Sequence, residues 1–233
     1  MDNNNPNPNP SPMPSGSSHG TYLTINAFLG KTDVALTNAG SAIIAPLLKA
    51  RGYDPSVIEE KKVAASALRT LNEAQQKEYG EQYEATSAYG KAYTMVHEAY
   101  MDHLKLARIA FKNDPGAKTA LGLRGDRPRS QSGYVGQGLL FYNNALGKQA
   151  FLDGLATKGI TRTELEDGRV AFENLQSLTA AQQKETGEAQ ASTKKRDAAY
   201  DELSDWMSDF YGTAKVALRK HPQLMEQLGI VEE

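Results

Sequence analysis

The sequence AQQKEYGE occupies residues 74–81, and AQQKETGE occupies residues 181–188, so one polar stretch occurs twice with a single difference. It belongs to a longer match: when residues 51–123 are placed on residues 158–230 without a gap, 22 of the 73 positions are identical. Unrelated sequences share far fewer positions, so the chain contains an internal duplication. A repeated unit of this kind buries its apolar face against its neighbour.

Each copy predicts one very long helix. Asp54 and Pro55 form a helix start in the first copy, with Asp as the N-cap and Pro in the first turn. No other proline occurs before Pro115, and the second copy has none between Gly159, a helix stop, and Pro222. These intervals predict helices of about 60 residues, on the order of 90 Å long at the α-helical rise.

Apolar residues recur in steps of three and four along both copies, which is typical of a coiled-coil seam. In the first copy the predicted seam comprises Tyr93, Val96, Tyr100, His103, Ala107 and Ala110. In the second copy it comprises Tyr200, Leu203, Met207, Phe210, Ala214 and Ala217. Upstream, the matched apolar residues are Val63, Leu68 and Leu71 and their counterparts Val170, Leu175 and Leu178.

A shorter helix of about 25 residues precedes each long one, and it is long enough to cover only half of it. In the first copy this helix is predicted from Leu23 to Lys49, with Gly52 as its stop. The sequence therefore predicts an all-α fold. We expect an elongated antiparallel helical bundle made from a duplicated short-helix and long-helix unit, with pseudo-twofold symmetry and three helices in each cross-section.

The expected domain organisation follows from composition. Residues 1–20 are mostly Asn, Pro, Ser and Gly and predict a disordered tail. Residues 21–123 form the first helical repeat, residues 124–133 a basic loop that links the repeats, and residues 134–233 the second repeat. We expect the two repeats to pack together as one domain.

Charge and composition limit the function classes. A net charge of −2 with a pI near 6.1 gives no overall attraction to nucleic acid, and the absence of cysteine excludes disulfides and thiolate metal sites. The most apolar run, residues 39–48, is much shorter than the ~20 residues that span a bilayer. With no signal peptide recognised, a cytoplasmic location is the default expectation, and export without a signal stays open.

The repeated polar stretch is the first candidate site. We interpret it as a central polar layer in which glutamines hydrogen-bond to fix the helix register, while glycines allow two backbones to approach closely. Two alternatives are a polar ligand or ion held by acidic residues of the layer, and simple inheritance from the duplication. The layer comprises Gln75, Gln76, Gly80, Gln182, Gln183 and Gly187, and the acidic residues are Glu78, Glu81, Glu185 and Glu188.

A second candidate is an interaction surface formed by Arg124, Arg127 and Arg129 of the basic loop, with Trp206, which lies off the seam, as a lateral contact. No catalytic or metal-binding motif is recognisable. Helical di-metal sites use Glu-x-x-His, and neither His97 nor His103 follows a glutamate by three residues. We therefore predict no catalytic, metal or cofactor-binding residue, and we interpret His103 as a packed ring whose polar edge is satisfied.

These observations predict a non-enzymatic helical protein that acts in a structural role or through protein contacts. Its expected partner is another protein or a second copy of itself, and self-assembly through residues 1–20 is one form of this hypothesis. Nucleic acid and stable membrane insertion are not expected. The alternatives are a helical protein that interacts with membranes in the manner of a pore-forming protein, with residues 39–48 as the insertion patch, and an enzyme with an unrecognised site.

Overall fold

The computed structural model describes residues 18–230, and within this range the chain forms eight α-helices and no strand. The predicted all-α fold is confirmed. The helices are α1 (Ser18–Ala39), α2 (Ile44–Lys49), α3 (Pro55–Ala110), α4 (Pro115–Ala120), α5 (Gln131–Gly147), α6 (Gln149–Ala156), α7 (Arg162–Ala217) and α8 (Pro222–Gln227).

The duplication is visible in the helix boundaries. Helices α3 and α7 both contain 56 residues, and each boundary of α3 and α4 recurs 107 positions later in α7 and α8. The predicted stops Gly52 and Gly159 both adopt a positive φ, 93° and 80°, which is the left-handed conformation that ends a helix and favours glycine. The prediction of two very long helices is confirmed.

The described residues divide into two compact units that cut across the repeats. The middle unit consists of residues 81–186, and the terminal unit consists of residues 18–80 together with 187–230. The middle unit contains one half of α3 and one half of α7 with α4, α5 and α6, and the terminal unit contains the other halves with α1, α2 and α8. Each unit has its own hydrophobic core, so each is described separately.

The two long helices run antiparallel within each unit. In the middle unit the ring of Tyr100 lies 4.9 Å from that of Phe172, while Thr86 contacts Gln182, so residue numbers rise on one helix as they fall on the other. In the terminal unit, Gln75 contacts Thr193. The ring of Tyr53, just before α3, lies 5.3 Å from that of Phe210. The predicted antiparallel pairing is therefore confirmed inside each unit.

The short helices differ from the prediction. The single helix expected from Leu23 to Lys49 is broken, because the chain turns at Gly40 and restarts at Ile44, whose N–H bonds to the hydroxyl of Ser41 at 3.3 Å. Helix α1 begins at Ser18, inside the predicted tail, and the remainder of that tail, residues 1–17, lies outside the described residues. Helix α5 begins at Gln131, inside the predicted linker.

A common burial pattern also relates the short helices α1 and α5, although their residues are not alike. Buried positions of α1 recur 106 residues later as buried positions of α5, although only the last of them keeps its residue type. The corresponding buried sets are Leu29, Thr32, Ala35, Leu36 and Ala39 in α1 and Val135, Gly138, Phe141, Tyr142 and Ala145 in α5.

Most of the predicted seam is confirmed, since its members are buried or half-buried along both long helices. Two upstream residues are exceptions: Val63 is 65% exposed and Val170 is 56% exposed. Both lie five residues before the leucine that follows them in the proposed pattern. A five-residue step rotates a side chain well away from the face that steps of three and four define. The prediction that these two valines belong to the core is wrong.

Candidate functional site

The middle unit contains an open groove of about 450 Å³ between α3 and α7, which we call the middle groove. Its α3 wall consists of Ala92, Met95, Val96, Ala99 and His103. Its α7 wall consists of Glu164, Asp167, Gly168, Ala171 and Asn174, and Tyr142 of α5 lies between the two walls. The groove thus combines an apolar surface with a small number of polar groups, which is the usual composition of a ligand site.

Small residues create the space. Ala92 and Ala99 on α3 and Gly168 and Ala171 on α7 leave the two helices without long side chains where they face each other. The glycine has a further role, because a Cβ at position 168 would overlap the ring of Tyr142. Gly168 therefore lets this buried ring lie against the backbone of α7.

His103 and Tyr142 form a hydrogen-bonded pair at the groove, with 3.0 Å between the imidazole Nδ1 and the phenolic oxygen. Burial lowers the pKa of His103, and the negative charges of Glu164 and Asp102 act in the opposite direction. Burial also raises the pKa of Tyr142, which holds the phenol protonated. The prediction that His103 is a packed ring with a satisfied polar edge is confirmed.

The two acidic residues of the α7 wall, Glu164 and Asp167, lie in the first turns of that helix. Thr161 and Glu164 form a capping box: the Glu164 carboxylate accepts from the Thr161 backbone N–H at 2.7 Å, and the Thr161 hydroxyl accepts from the Glu164 N–H at 3.2 Å. The bond from the Thr161 backbone N–H to the carboxylate lowers the pKa of Glu164 most, and a second bond from the Thr161 hydroxyl to the same carboxylate, at 2.9 Å, lowers it further. One turn later Asp167 is exposed and makes no hydrogen bond or ion pair among the described residues.

The predicted polar layer consists of two separate sets, one in each unit. In the terminal unit Gln75, 2% exposed, donates to the hydroxyl of Thr193 at 3.4 Å and accepts from the buried guanidinium of Arg196 at 2.7 Å. In the middle unit Gln182 donates to the hydroxyl of Thr86 at 3.3 Å and accepts from Gln131 at 3.1 Å.

The remaining residues of the layer are less buried than Gln75 and Gln182. Gln76 is half-buried and Gln183 is exposed. A Cβ at Gly80 or at Gly187 would meet no other atom of the described residues within 4 Å. The interpretation that these glycines permit a close backbone approach is therefore wrong. The alternative in which the acidic residues of the layer hold an ion stays a prediction.

The predicted interaction residues lie in different environments. Arg124 and Arg129 are exposed, whereas the Arg127 guanidinium donates to the Tyr100 hydroxyl at 3.3 Å and to the Gly122 carbonyl at 3.0 Å. Arg127 thus holds the loop onto the middle unit. A role of the exposed arginines in binding stays a prediction.

Trp206 belongs to the terminal unit, where it is half-buried against the core. Its ring is stacked on that of Phe210 with centroids 5.4 Å apart, and Lys61 Nζ lies 5.8 Å from the centroid of the indole. Trp206 therefore packs internally.

Sequence reasoning did not identify the middle groove. Its defining residues are alanines and a glycine, which carry no chemical motif. A signal was nevertheless present in the duplication, because position 99 is Ala in the first copy while the matched position 206 is Trp, and Gly168 corresponds to Lys61. Large differences in side-chain size between matched positions indicate where one copy has a space that the other fills.

Comparison of the chain with protein-family models, with curated proteins and with solved structures found no match. Among the described residues, no helix is both long enough and apolar enough to cross a membrane. Three residues of the predicted insertion patch, Ala39, Ile44 and Leu48, are buried in the core of the terminal unit.

Proposed function

We propose that this chain is a non-enzymatic helical protein that acts by binding another protein, and that the middle groove is its binding surface. The observation that carries the proposal is the open groove of about 450 Å³, with Met95 78% exposed on one wall and Glu164 and Asp167 on the other. A flexible methionine adapts to an apolar partner, and the carboxylates orient it.

The contacts of the polar groups favour binding over acid–base catalysis, which is the competing function for a groove that contains a histidine and two carboxylates. The Glu164 carboxylate already caps α7 through Thr161, and His103 Nδ1 is already bonded to the hydroxyl of Tyr142. Because both groups already make hydrogen bonds within the protein, we assign them to the binding surface and not to proton transfer.

The proposal is tested by placing a photo-crosslinking amino acid at Ala99, inside the groove, and separately at Ala180. Ala180 is exposed on α7 and does not line the groove. In cells that naturally make the protein we expect position 99, and not position 180, to crosslink to one partner. Mass spectrometry identifies the partner, and recovery of this chain itself would indicate self-assembly.

Binding of the purified partner is then compared between the parent protein and Ala99→Trp, which fills the groove. We expect binding to fall by at least tenfold in this variant and to be unchanged in Ala180→Trp. Equal affinity of all three proteins would exclude the middle groove as the binding surface.

A further inference from the structure

The duplication supplies an internal comparison for the middle groove, because every residue of its α3 and α7 walls has a matched residue in the terminal unit. The decisive matches are Ala99 with Trp206, His103 with Phe210 and Gly168 with Lys61, each 107 positions apart. Asp167 is matched in the same way with Glu60. The same helical framework therefore carries different side chains at equivalent places in the two units.

In the terminal unit the equivalent place is occupied by the protein's own side chains. The indole of Trp206 is stacked on Phe210 with an interplanar angle of 11°, and Tyr53 meets the indole edge-on at 5.5 Å. Lys61 Nζ lies over the indole, and the same ammonium is 3.3 Å from a carboxylate oxygen of Glu60. An aromatic ring, a cation over its face and a carboxylate beside the cation thus form one stacked arrangement.

The middle unit lacks two of these three components. Ala99 stands at the position of the aromatic ring and Gly168 at the position of the cation. The open groove lies where these two side chains would be. The third component remains: Asp167 keeps the carboxylate, which among the described residues has no ion pair, and Glu164 adds a second carboxylate to the same wall. His103 keeps a flat ring at the position where Phe210 stacks on the indole.

We infer that the middle groove binds an aromatic side chain, of tryptophan type, that is flanked by lysine or arginine on a partner protein. The ring stacks on His103 in the space beside Ala99 and Met95, and the cation pairs with Asp167 and Glu164. The occupant has this chemistry because it restores the arrangement that Trp206 and Lys61 complete within the terminal unit. This inference rests on the proposed function and specifies the partner's recognition element.

The test uses the full-length protein labelled with carbon-13 at its methionine methyl groups and the peptide acetyl-Lys-Trp-Lys-amide. Met95 lines the groove, whereas Met207 and Met225 lie in the core of the terminal unit and serve as internal controls. We expect the ring current of the bound indole to shift the Met95 signal and to leave the other two unchanged. Acetyl-Lys-Ala-Lys-amide should produce no such shift.

Charge is tested with acetyl-Glu-Trp-Glu-amide, which we expect to bind roughly tenfold more weakly than the lysine peptide, because two exposed ion pairs are replaced by repulsion. In the double variant Glu164→Gln and Asp167→Asn this difference should shrink to about threefold or less. Glutamine retains the capping box at position 164. The matched control, Glu84→Gln with Asp153→Asn, removes two exposed carboxylates of the same unit outside the groove and should keep the full difference.

Ala99→Trp should abolish the peptide-induced shift of Met95. Met101 packs against the core of the same unit, and retention of its signal shows that the middle unit of the variant is folded. The inference is overturned by an equal response to the alanine peptide, by no preference for the lysine peptide over the glutamate peptide, or by no shift of Met95 at several millimolar peptide. Its failure is separable from failure of the proposed function. A natural partner that is lost in Ala99→Trp, combined with peptides that do not bind, retains the binding surface and rejects only the aromatic and cationic recognition element.

Discussion

Gly138 illustrates how a single residue sets the packing of the middle unit. It lies on a buried face of α5, and a Cβ there would overlap the ring of Phe172, which is itself completely buried. Gly136, two residues earlier on the same helix, is exposed, and a Cβ there would meet no atom within 4 Å. Substitution of alanine at Gly138 and at Gly136 therefore distinguishes the steric effect of an added methyl group from its effect on helix propensity.

We expect Gly138→Ala to lower the free energy of unfolding by about 1–3 kcal/mol, because the overpacking cost exceeds the gain in helix propensity. Gly136→Ala should instead raise it by about 0.5–1 kcal/mol. Urea denaturation followed by circular dichroism measures both. Stabilisation by both substitutions would show that the Phe172 ring moves aside at little cost.

His97 and His103 predict a dependence of stability on pH. Burial lowers the pKa of both histidines in the folded protein, and each Nδ1 lies 3.0 Å from a tyrosine hydroxyl, of Tyr134 and Tyr142 respectively. Because the unfolded chain binds protons more readily than the folded one, stability should decrease as the pH falls below the ordinary histidine value of about 6.5.

The measurement is the midpoint of urea denaturation at pH 7.5 and at pH 5.5, for the parent and for His97→Gln and His103→Gln. Each substitution should reduce the loss of stability between the two pH values, although the variants are less stable at pH 7.5. An undiminished loss in both variants would assign the pH dependence to other groups.

At the scale of the element, the two long helices use the same polar contact twice. Gln75 and Thr193 in the terminal unit are matched by Gln182 and Thr86 in the middle unit, with donor–acceptor distances of 3.4 and 3.3 Å. The surroundings differ, because Gln75 also accepts from the charged Arg196, 4% exposed, whereas Gln182 accepts from the neutral Gln131. A hydrogen bond to a charged group contributes more than one between neutral groups.

We therefore expect Gln75→Met to lower the free energy of unfolding by about 1.5–3 kcal/mol, because it removes an acceptor of a buried guanidinium. Gln182→Met should cost about 1 kcal/mol. Chemical denaturation of both variants gives the comparison, with Gln183→Met as an exposed control. Equal costs at positions 75 and 182 would mean that Asp197, which accepts from Arg196 at 2.6 Å, satisfies the charge without Gln75.

At the scale of the whole molecule, the oligomeric state distinguishes binding to a different protein from self-assembly of this chain. If the partner is a different protein, light scattering over a concentration series should give a constant mass of 25.4 kDa for the full chain. A mass that grows with concentration, and ceases to grow when residues 1–20 are removed, would instead support self-assembly through the tail.

The predicted and observed folds agree where local chemistry decides the backbone. Pro55 lies in the first turn of α3, and Pro115 and Pro222 lie beyond the ends of α3 and α7, as the sequence predicts, because proline lacks the N–H that a helix interior requires. The break between Ala39 and Ile44 was not predicted. Alanine and isoleucine are compatible with a continuous helix, and Gly40 and Ser41 alone do not decide between a turn and a tolerated interruption.

By itself the sequence determined the class of the fold, the length of its two long helices and the existence of the duplication, because these depend on residues close in the chain and on a repeat that identity reveals. Only the tertiary structure decided which faces are buried and where space remains. Val63 and Val170 are exposed although they are apolar, and Ala99 borders a groove where the matched Trp206 fills its own unit. Whether a position is filled depends on the side chains that a distant segment brings opposite it, and that information is absent from any local pattern.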